Sequence, residues 1–129
     1  MSDKILVVDD QQGIRQLLVE VLNEEGYQVV TASDGYAGIQ QAKSSNPQLI
    51  LLDMKMPGMN GIETLKELKK IGQGDRVIMM TAYGELELVN EAREIGAYDY
   101  ITKPFDVFEL CQVIHDIMVK LDQEQMKIG

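Results

Sequence analysis

Short apolar runs alternate with longer amphipathic stretches along the chain. Five runs rich in aliphatic, β-branched or aromatic residues are typical of strands, at residues 5–8, 28–31, 49–52, 77–80 and 98–101. The runs that begin at 5, 49 and 77 are continuously apolar, as strands covered on both faces of a sheet must be. Because a stretch with helical spacing follows each run, the pattern predicts a three-layer α/β/α fold with a five-stranded parallel sheet and five helices.

Glycine, proline and aspartate mark the expected helix boundaries. Gly26 and Gly96 follow the first and fourth helical stretches, where a helix often ends. Asp34 precedes the second stretch and Pro47 follows it, while Gly61 is expected to precede the third. These signals fit the periodicity of the chain, so the alternating α/β pattern holds from end to end.

The last helix is expected from about residue 106 to residue 121, with its apolar positions at core-facing spacing. A short polar tail would then occupy residues 123–129. Since every connection is short, we expect residues 1–122 to form one domain, with no output domain.

The charge balance narrows the choice of partners. Among 129 residues, 21 are acidic and 12 are Lys or Arg, a formal net charge of −9, which argues against binding nucleic acid or an anionic membrane surface. The single cysteine, Cys111, excludes an internal disulfide framework. No apolar run reaches the roughly 18 residues that span a bilayer. We expect a cytoplasmic monomer.

Polar side chains appear where the predicted strands end. Asp9 and Asp10 follow the first strand, Asp53 the third, Thr81 the fourth and Lys103 the fifth. Because ligands of an open parallel sheet bind beyond the carboxyl ends of its strands, we expect these groups to lie together. Clustered carboxylates repel one another, and Mg²⁺, which prefers hard oxygen ligands, is the cation that suits them.

The residue types also suggest a reaction. With Mg²⁺ offsetting its charge, the carboxylate of Asp53 is suited to attack a phosphorus atom. Lys103 and the Thr81 hydroxyl would then bind phosphoryl oxygens, and the carbonyl of Lys55 is a further candidate metal ligand. Taken singly, Asp9-Asp10 is typical of a solvated turn, Thr81 of a helix N-cap and Lys103 of a surface lysine. Only their combination indicates this chemistry.

Four segments resemble the response-regulator receiver family. They are VVDD (7–10), LLDMKMPGMNG (51–61), MTA (80–82) and KPF (103–105), in the family's order, and the likeness extends over residues 4–121. The resemblance implies a flavodoxin-like fold with strand order 2-1-3-4-5. It also implies a sensor histidine kinase as phosphoryl donor and a histidine phosphotransferase as acceptor.

The same resemblance implies residue roles. Asp9, Asp10 and Asp53 would hold Mg²⁺, and Asp53 would carry the phosphoryl group. Thr81 and Lys103 would contact that group, a cis peptide would precede Pro104, and movement of Thr81 would change the exposure of Tyr100.

Within the family, residues 9–15 and 80–86 resemble the single-domain phosphorelay intermediates of sporulation. Asn60 and Tyr100 depart from that group, which has an acidic residue and a histidine there. Two functions stay open: a relay that passes the phosphoryl group on, and a chemotaxis-type regulator that binds a target when phosphorylated. A phosphatase is disfavoured, because Asp9-Asp10 lacks the Asp-x-Asp spacing.

The first helix carries more apolar surface than one face of a sheet requires. Its apolar positions cover an arc of about 200°, against the roughly 100° stripe that suffices. Either this helix is buried more deeply than one sheet face requires, or it has an exposed edge at which a partner helix docks beside the acidic residues; we expect the exposed edge. The predicted partner surface comprises Gly13, Ile14, Leu17, Tyr83, Pro104 and Phe105.

Overall fold

The structure is a computed structural model that describes residues 3–82 and 85–128, and side chains as far as residue 123. Within these residues, five parallel strands form one sheet in the order β2-β1-β3-β4-β5. The predicted strand order is therefore confirmed. The elements are β1 (Lys4–Val8), α1 (Gln12–Glu24), β2 (Gln28–Ala32), α2 (Gly35–Ser45), β3 (Leu49–Asp53), α3 (Gly61–Lys70), β4 (Val77–Ala82), α4 (Leu86–Ile95), β5 (Asp99–Lys103) and α5 (Val107–Ile128), with a 3₁₀ turn at Gly74–Arg76.

The sheet is covered on both faces, as the continuously apolar strands predict. Alternate residues of β1 enter different cores, because successive side chains of a strand point to opposite faces. Leu6 and Val8 belong to a core shared with α2, α3 and α4. Ile5 and Val7 belong to a second core, shared with α1 and α5. All residues of β3 are buried, so the strand that ends in Asp53 is covered on both faces.

Several elements differ from the predicted limits: β3 includes Asp53 and β4 includes Thr81, although both residues are predicted to follow those strands, and β5 and α5 differ further. The β5 strand includes Thr102 and Lys103, which are predicted to follow it, because both residues pair with β4. Alternate side chains of this edge strand are exposed, so its end is not marked by an apolar run. The last helix was expected to end near residue 121 but continues to Ile128. The apolar stripe ends at residue 121. The residues beyond it, mostly Gln, Glu, Met and Lys, have a helix propensity that does not depend on packing.

The loop between β3 and α3 is fixed by a capping box. The Asn60 side chain accepts a hydrogen bond from the Glu63 N–H at 2.9 Å, and the Glu63 carboxylate accepts one from the Asn60 N–H at 3.2 Å. Gly61 is thus the first residue of α3, not the residue before it. A Cβ at Gly61 would lie 2.5 Å from the carbonyl oxygen of Asp53, so only glycine lets the helix start so close to this residue.

Within the described residues, none of the helices has the length and apolar character needed to cross a membrane.

Candidate functional site

Four strands bring the predicted site residues to the carboxyl edge of the sheet. Asp9 comes directly after β1, Asp53 ends β3, Thr81 is next to last in β4 and Lys103 ends β5. Three of these polar side chains are nearly inaccessible to solvent: Asp9 is 0% exposed, Thr81 2% and Asp53 7%. Buried polar groups need partners, so the contacts of each one are informative.

The carboxylates form the cluster that the sequence predicts. Asp9, Asp10 and Asp53 each offer an oxygen within 4.8 Å of the others. The Lys103 ammonium lies 2.7 Å from Asp9 Oδ2 and 3.5 Å from Asp53 Oδ1. The Lys103 ammonium therefore contacts two of the three carboxylates, and the cluster of one ammonium and three carboxylates has a net negative charge.

Burial and the negative charge of the cluster together raise the pKa of Asp53. Burial of its side chain and the neighbouring charge of Asp9 raise the pKa of Asp53 to about 6, against the opposing effects of Lys103 and the Lys55 N–H. Ionisation of Asp53 is thus less favourable in the resting fold than in a solvated aspartate. A hard cation between the three carboxylates would relieve the repulsion, and the all-oxygen donor set fits such a cation.

Asp9 is held by contacts that the sequence analysis did not predict. The Gln11 N–H donates to Asp9 Oδ1 at 2.9 Å. The Arg15 guanidinium donates to the Asp9 carbonyl oxygen at 2.7 Å. The available signal is the position of Arg15 in the second turn of α1, close behind the acidic pair. The Gln11 bond orients the Asp9 carboxylate, and the Arg15 bond ties α1 to the end of β1.

Lys55 contacts both Asp53 and Glu85. Its N–H lies 3.4 Å from Asp53 Oδ1, a weak hydrogen bond. Its ammonium forms an ion pair with Glu85 at 3.1 Å. Coordination of a metal by the Lys55 carbonyl stays a prediction.

The Thr81 hydroxyl donates to the carbonyl oxygen of Ile101 on β5 at 3.5 Å. It therefore faces the edge strand in the resting fold. The alternative interpretation of Thr81 as a helix N-cap is wrong, because α4 begins at Leu86 and Glu85 holds the N-cap position. The Glu85 carboxylate instead accepts a hydrogen bond from the Ala82 N–H at 2.5 Å. An acid three residues after the end of a strand was the signal for this contact.

Tyr100 lies on the outer edge of the sheet. Its side chain is 36% exposed, and the Arg93 guanidinium lies 5.0 Å from the centre of its ring. A small cavity of about 150 Å³ lies beside Tyr100. A larger cavity of about 420 Å³ lies against α5 and does not include Tyr100. That smaller cavity is lined by Thr81, Ala82, Glu85, Leu86, Val89, Tyr100 and Thr102.

The residues predicted to form a partner surface differ in exposure. Gly13 and Pro104 are exposed, and Leu17 is 36% exposed. Ile14 and Phe105 are half-buried and pack against the core beneath α1 and α5. Tyr83 lies outside the described residues. The expected cis peptide is present between Lys103 and Pro104.

The family description "Response regulator receiver domain" matches residues 5–115. The chain belongs to the response regulator receiver family. This receiver is 53% identical to the "Sporulation initiation phosphotransferase F" of Bacillus subtilis over 110 residues, 85% of this chain and 89% of the relative. It is 36% identical to the chemotaxis protein CheY of Bacillus subtilis over 89% of this chain and 97% of the relative.

A solved receiver has the same fold. The crystal structure of a response regulator receiver domain protein from Clostridium thermocellum superimposes with a TM-score of 0.86 at 32% identity. The match covers 94% of this chain and 98% of that one. The resemblance inferred from the four sequence segments is thereby confirmed.

Proposed function

We propose that this receiver is a phosphorelay intermediate of the sporulation-initiation type. It accepts a phosphoryl group on Asp53 from a sensor histidine kinase and gives it to a histidine phosphotransferase. The observation that carries the proposal is the buried Asp53 within an acidic cluster, with Lys103 3.5 Å from its carboxylate. The 53% identity to a sporulation phosphotransferase supports the relay over other receiver outputs.

The metal of this site is proposed to be Mg²⁺. Asp9, Asp10 and Asp53 would hold it, with the Lys55 carbonyl as a further ligand. Once bound, Mg²⁺ offsets the negative charge that otherwise repels a phosphoryl donor from Asp53.

The residues of the chain perform the remaining work. An Asp53 carboxylate oxygen forms a bond to phosphorus while the bond from phosphorus to the donor histidine nitrogen breaks, and that electron pair stays on the imidazole. Lys103 lies close enough to turn from Asp9 to a phosphoryl oxygen. The Thr81 hydroxyl exchanges the Ile101 carbonyl for another phosphoryl oxygen. Transfer to the acceptor histidine is the reverse exchange.

The docking surface is proposed at the start of α1. Leu17 is more than one-third exposed although the neighbouring Leu18 is fully buried. Gly13 is exposed one turn before Leu17, and Gln11 contacts Asp9 directly. A partner helix lying on this edge would bring its histidine to the acidic cluster, as phosphoryl transfer requires. Tyr83, Pro104 and Phe105 complete the proposed surface.

A chemotaxis-type output is the second candidate. The observation that favours it is the partly exposed Tyr100 next to a cavity that Thr81 also lines. If Thr81 turned towards a phosphoryl group, the Tyr100 ring would have space to move inward. The face around β5 would then bind a target without passing the group on.

One experiment separates the two candidates. The receiver is loaded with acetyl phosphate and Mg²⁺, a sporulation-type histidine phosphotransferase is added, and intact mass shows which protein carries the group. Asp53→Asn is the blank. Loading that requires Asp53 and then moves to the histidine protein supports the relay. A group that loads and stays favours the chemotaxis-type output, and failure to load contradicts the receiver chemistry.

A further inference from the structure

One carboxylate outside the acidic cluster joins the two segments that border Asp53. Glu85 Oε1 accepts a hydrogen bond from the Ala82 N–H at 2.5 Å. Glu85 Oε2 lies 3.1 Å from the ammonium of Lys55. The contacts connect the loop after β3 with the segment after β4.

The burial of Glu85 is unusual for a carboxylate at a helix start. Its side chain is only 7% exposed, whereas its partner Lys55 is 73% exposed. Within the described part of the chain, Oε2 is buried and accepts no hydrogen bond, so the Lys55 ammonium is its one charged partner. A buried carboxylate paired with a solvated lysine is weak evidence for a role in stability, because desolvation of the carboxylate opposes the attraction.

Both groups held by Glu85 belong to segments that lie next to the reacting carboxylate. Lys55 follows Asp53 by two residues, and its N–H donates to Asp53 Oδ1. Ala82 follows Thr81 in β4, and β4 pairs with β3 at Asp53. A phosphoryl group on Asp53 would bring three anionic oxygens that bind N–H and ammonium donors strongly. In the resting fold, Glu85 occupies two such donors.

We propose that Glu85 is a positioning residue that holds the Ala82 N–H and the Lys55 ammonium until phosphoryl oxygens displace it. The inference rests on the proposed function and deepens it. On phosphorylation, both donors exchange a Glu85 oxygen for a phosphoryl oxygen, and the freed carboxylate turns to water. Glu85 is not among the groups that shift the pKa of Asp53, so its influence runs through these two donors.

The competition has a direction. Glu85→Gln keeps the shape of the side chain but removes the charge that retains the Lys55 ammonium. The released Lys55 ammonium, together with an Ala82 N–H held only by a weaker amide acceptor, should speed loading of Asp53 by acetyl phosphate about threefold to tenfold, the range expected for one charge-assisted contact. Glu87→Gln is the matched control, because it removes the same charge from an exposed position in the first turn of α4.

The test compares loading rates in excess Mg²⁺ for the wild type, Glu85→Gln, Glu87→Gln and Lys55→Met, and for Glu85→Gln combined with Lys55→Met. We expect the Glu85→Gln single variant to load faster than the wild type. The same substitution should accelerate loading less when it is added to Lys55→Met. Equal rates in Glu85→Gln and Glu87→Gln would overturn the inference while leaving phosphorylation of Asp53 intact. A wild type that never loads would overturn the proposed function and this inference with it.

The Ala82 amide gives a second readout that a purely structural role would not move. In resting protein, its NMR proton shift should differ between the wild type and Glu85→Gln, because a carboxylate is a stronger acceptor than an amide. After phosphorylation the two shifts should coincide, since Glu85 has left. A difference that persists in the phosphorylated proteins would show that Glu85 keeps its hold, and the inference would be wrong.

Discussion

Replacing Asp53 by Asn should stabilise the fold in metal-free buffer at pH 7, although it removes the proposed phosphorylation site. Folding places the Asp53 carboxylate at 7% exposure beside Asp9. These surroundings raise its pKa from 3.8 to about 6. A neutral amide of nearly the same shape avoids the burial and the repulsion that the ionised carboxylate meets.

The size of the effect follows from the pKa shift. A rise of about two units corresponds to about 3 kcal/mol at about 1.4 kcal/mol per unit. Because the Asn side chain cannot reproduce every contact of a protonated carboxyl group, we expect a gain of about 2 to 3 kcal/mol in the free energy of unfolding. Urea denaturation with EDTA present measures it directly.

The pH dependence provides a sharper check. The folded state holds the Asp53 proton more tightly than the unfolded chain, so the favourable contribution of Asp53 is complete below pH 3.8 and is lost as the pH rises through about 6. The advantage of Asp53→Asn should therefore shrink as the pH falls from 7 to 4. Adding Mg²⁺ at pH 7 should also shrink it, because the cation stabilises only the wild type strongly.

A surface carboxylate serves as the control. Asp75 is 85% exposed, and Asp75→Asn should change the free energy of unfolding by less than about 0.5 kcal/mol. If Asp53→Asn is no more stable than the wild type in EDTA at pH 7, the repulsion inferred within the acidic cluster is absent. An advantage that does not decline with falling pH would equally contradict the reasoning.

Three further substitutions test other parts of the molecule. Gly61→Ala places a Cβ 2.5 Å from the Asp53 carbonyl oxygen and should cost about 2 kcal/mol or more in urea unfolding, with slower loading by acetyl phosphate. Leu17→Glu should leave that loading unchanged but slow transfer to the histidine phosphotransferase at least about tenfold. Val113→Glu, at a similarly exposed site on α5, should not slow the transfer. Equal transfer rates in the two variants would contradict a docking surface on α1. Asn60→Ala should lower the free energy of unfolding by about 1 kcal/mol through loss of the capping box. Asn60→Asp should keep the wild-type value, because Asp also caps a helix. An alanine variant as stable as the wild type would contradict the cap.

The acidic cluster was predictable because it depends only on topology. Once Asp9, Asp53 and Lys103 are assigned to the ends of parallel strands, the fold brings them together without any knowledge of side-chain packing. Arg15 and Glu85 were not found in this way. Their contacts depend on how a helix start and a loop approach the strand ends, and the ion pair of Glu85 joins residues 55 and 85, which no short-range pattern connects.

The limits of the elements show the same division. The extension of α5 beyond residue 121 was missed because the prediction followed the apolar stripe, which marks burial and not helix length. The family pattern does not predict the cap at Asn60, because the signal for the capping box is Glu63 three positions later. In both places local propensity, not packing, decided the outcome.

The resting contacts around Asp53 suggest why phosphorylation would be felt at a distance. Lys103 is bound to Asp9, and Thr81 to the Ile101 carbonyl. Ala82 is bound to Glu85. The Thr81 hydroxyl and the Ala82 N–H each have one proton to donate, so each must give up its present partner to bind a phosphoryl oxygen. Ile101 adjoins Tyr100 in β5, and Glu85 opens α4, so these exchanges release contacts in the two elements that border the Tyr100 cavity. On the proposed function, the bond formed at Asp53 reaches the β5 edge through the partners its donors leave behind.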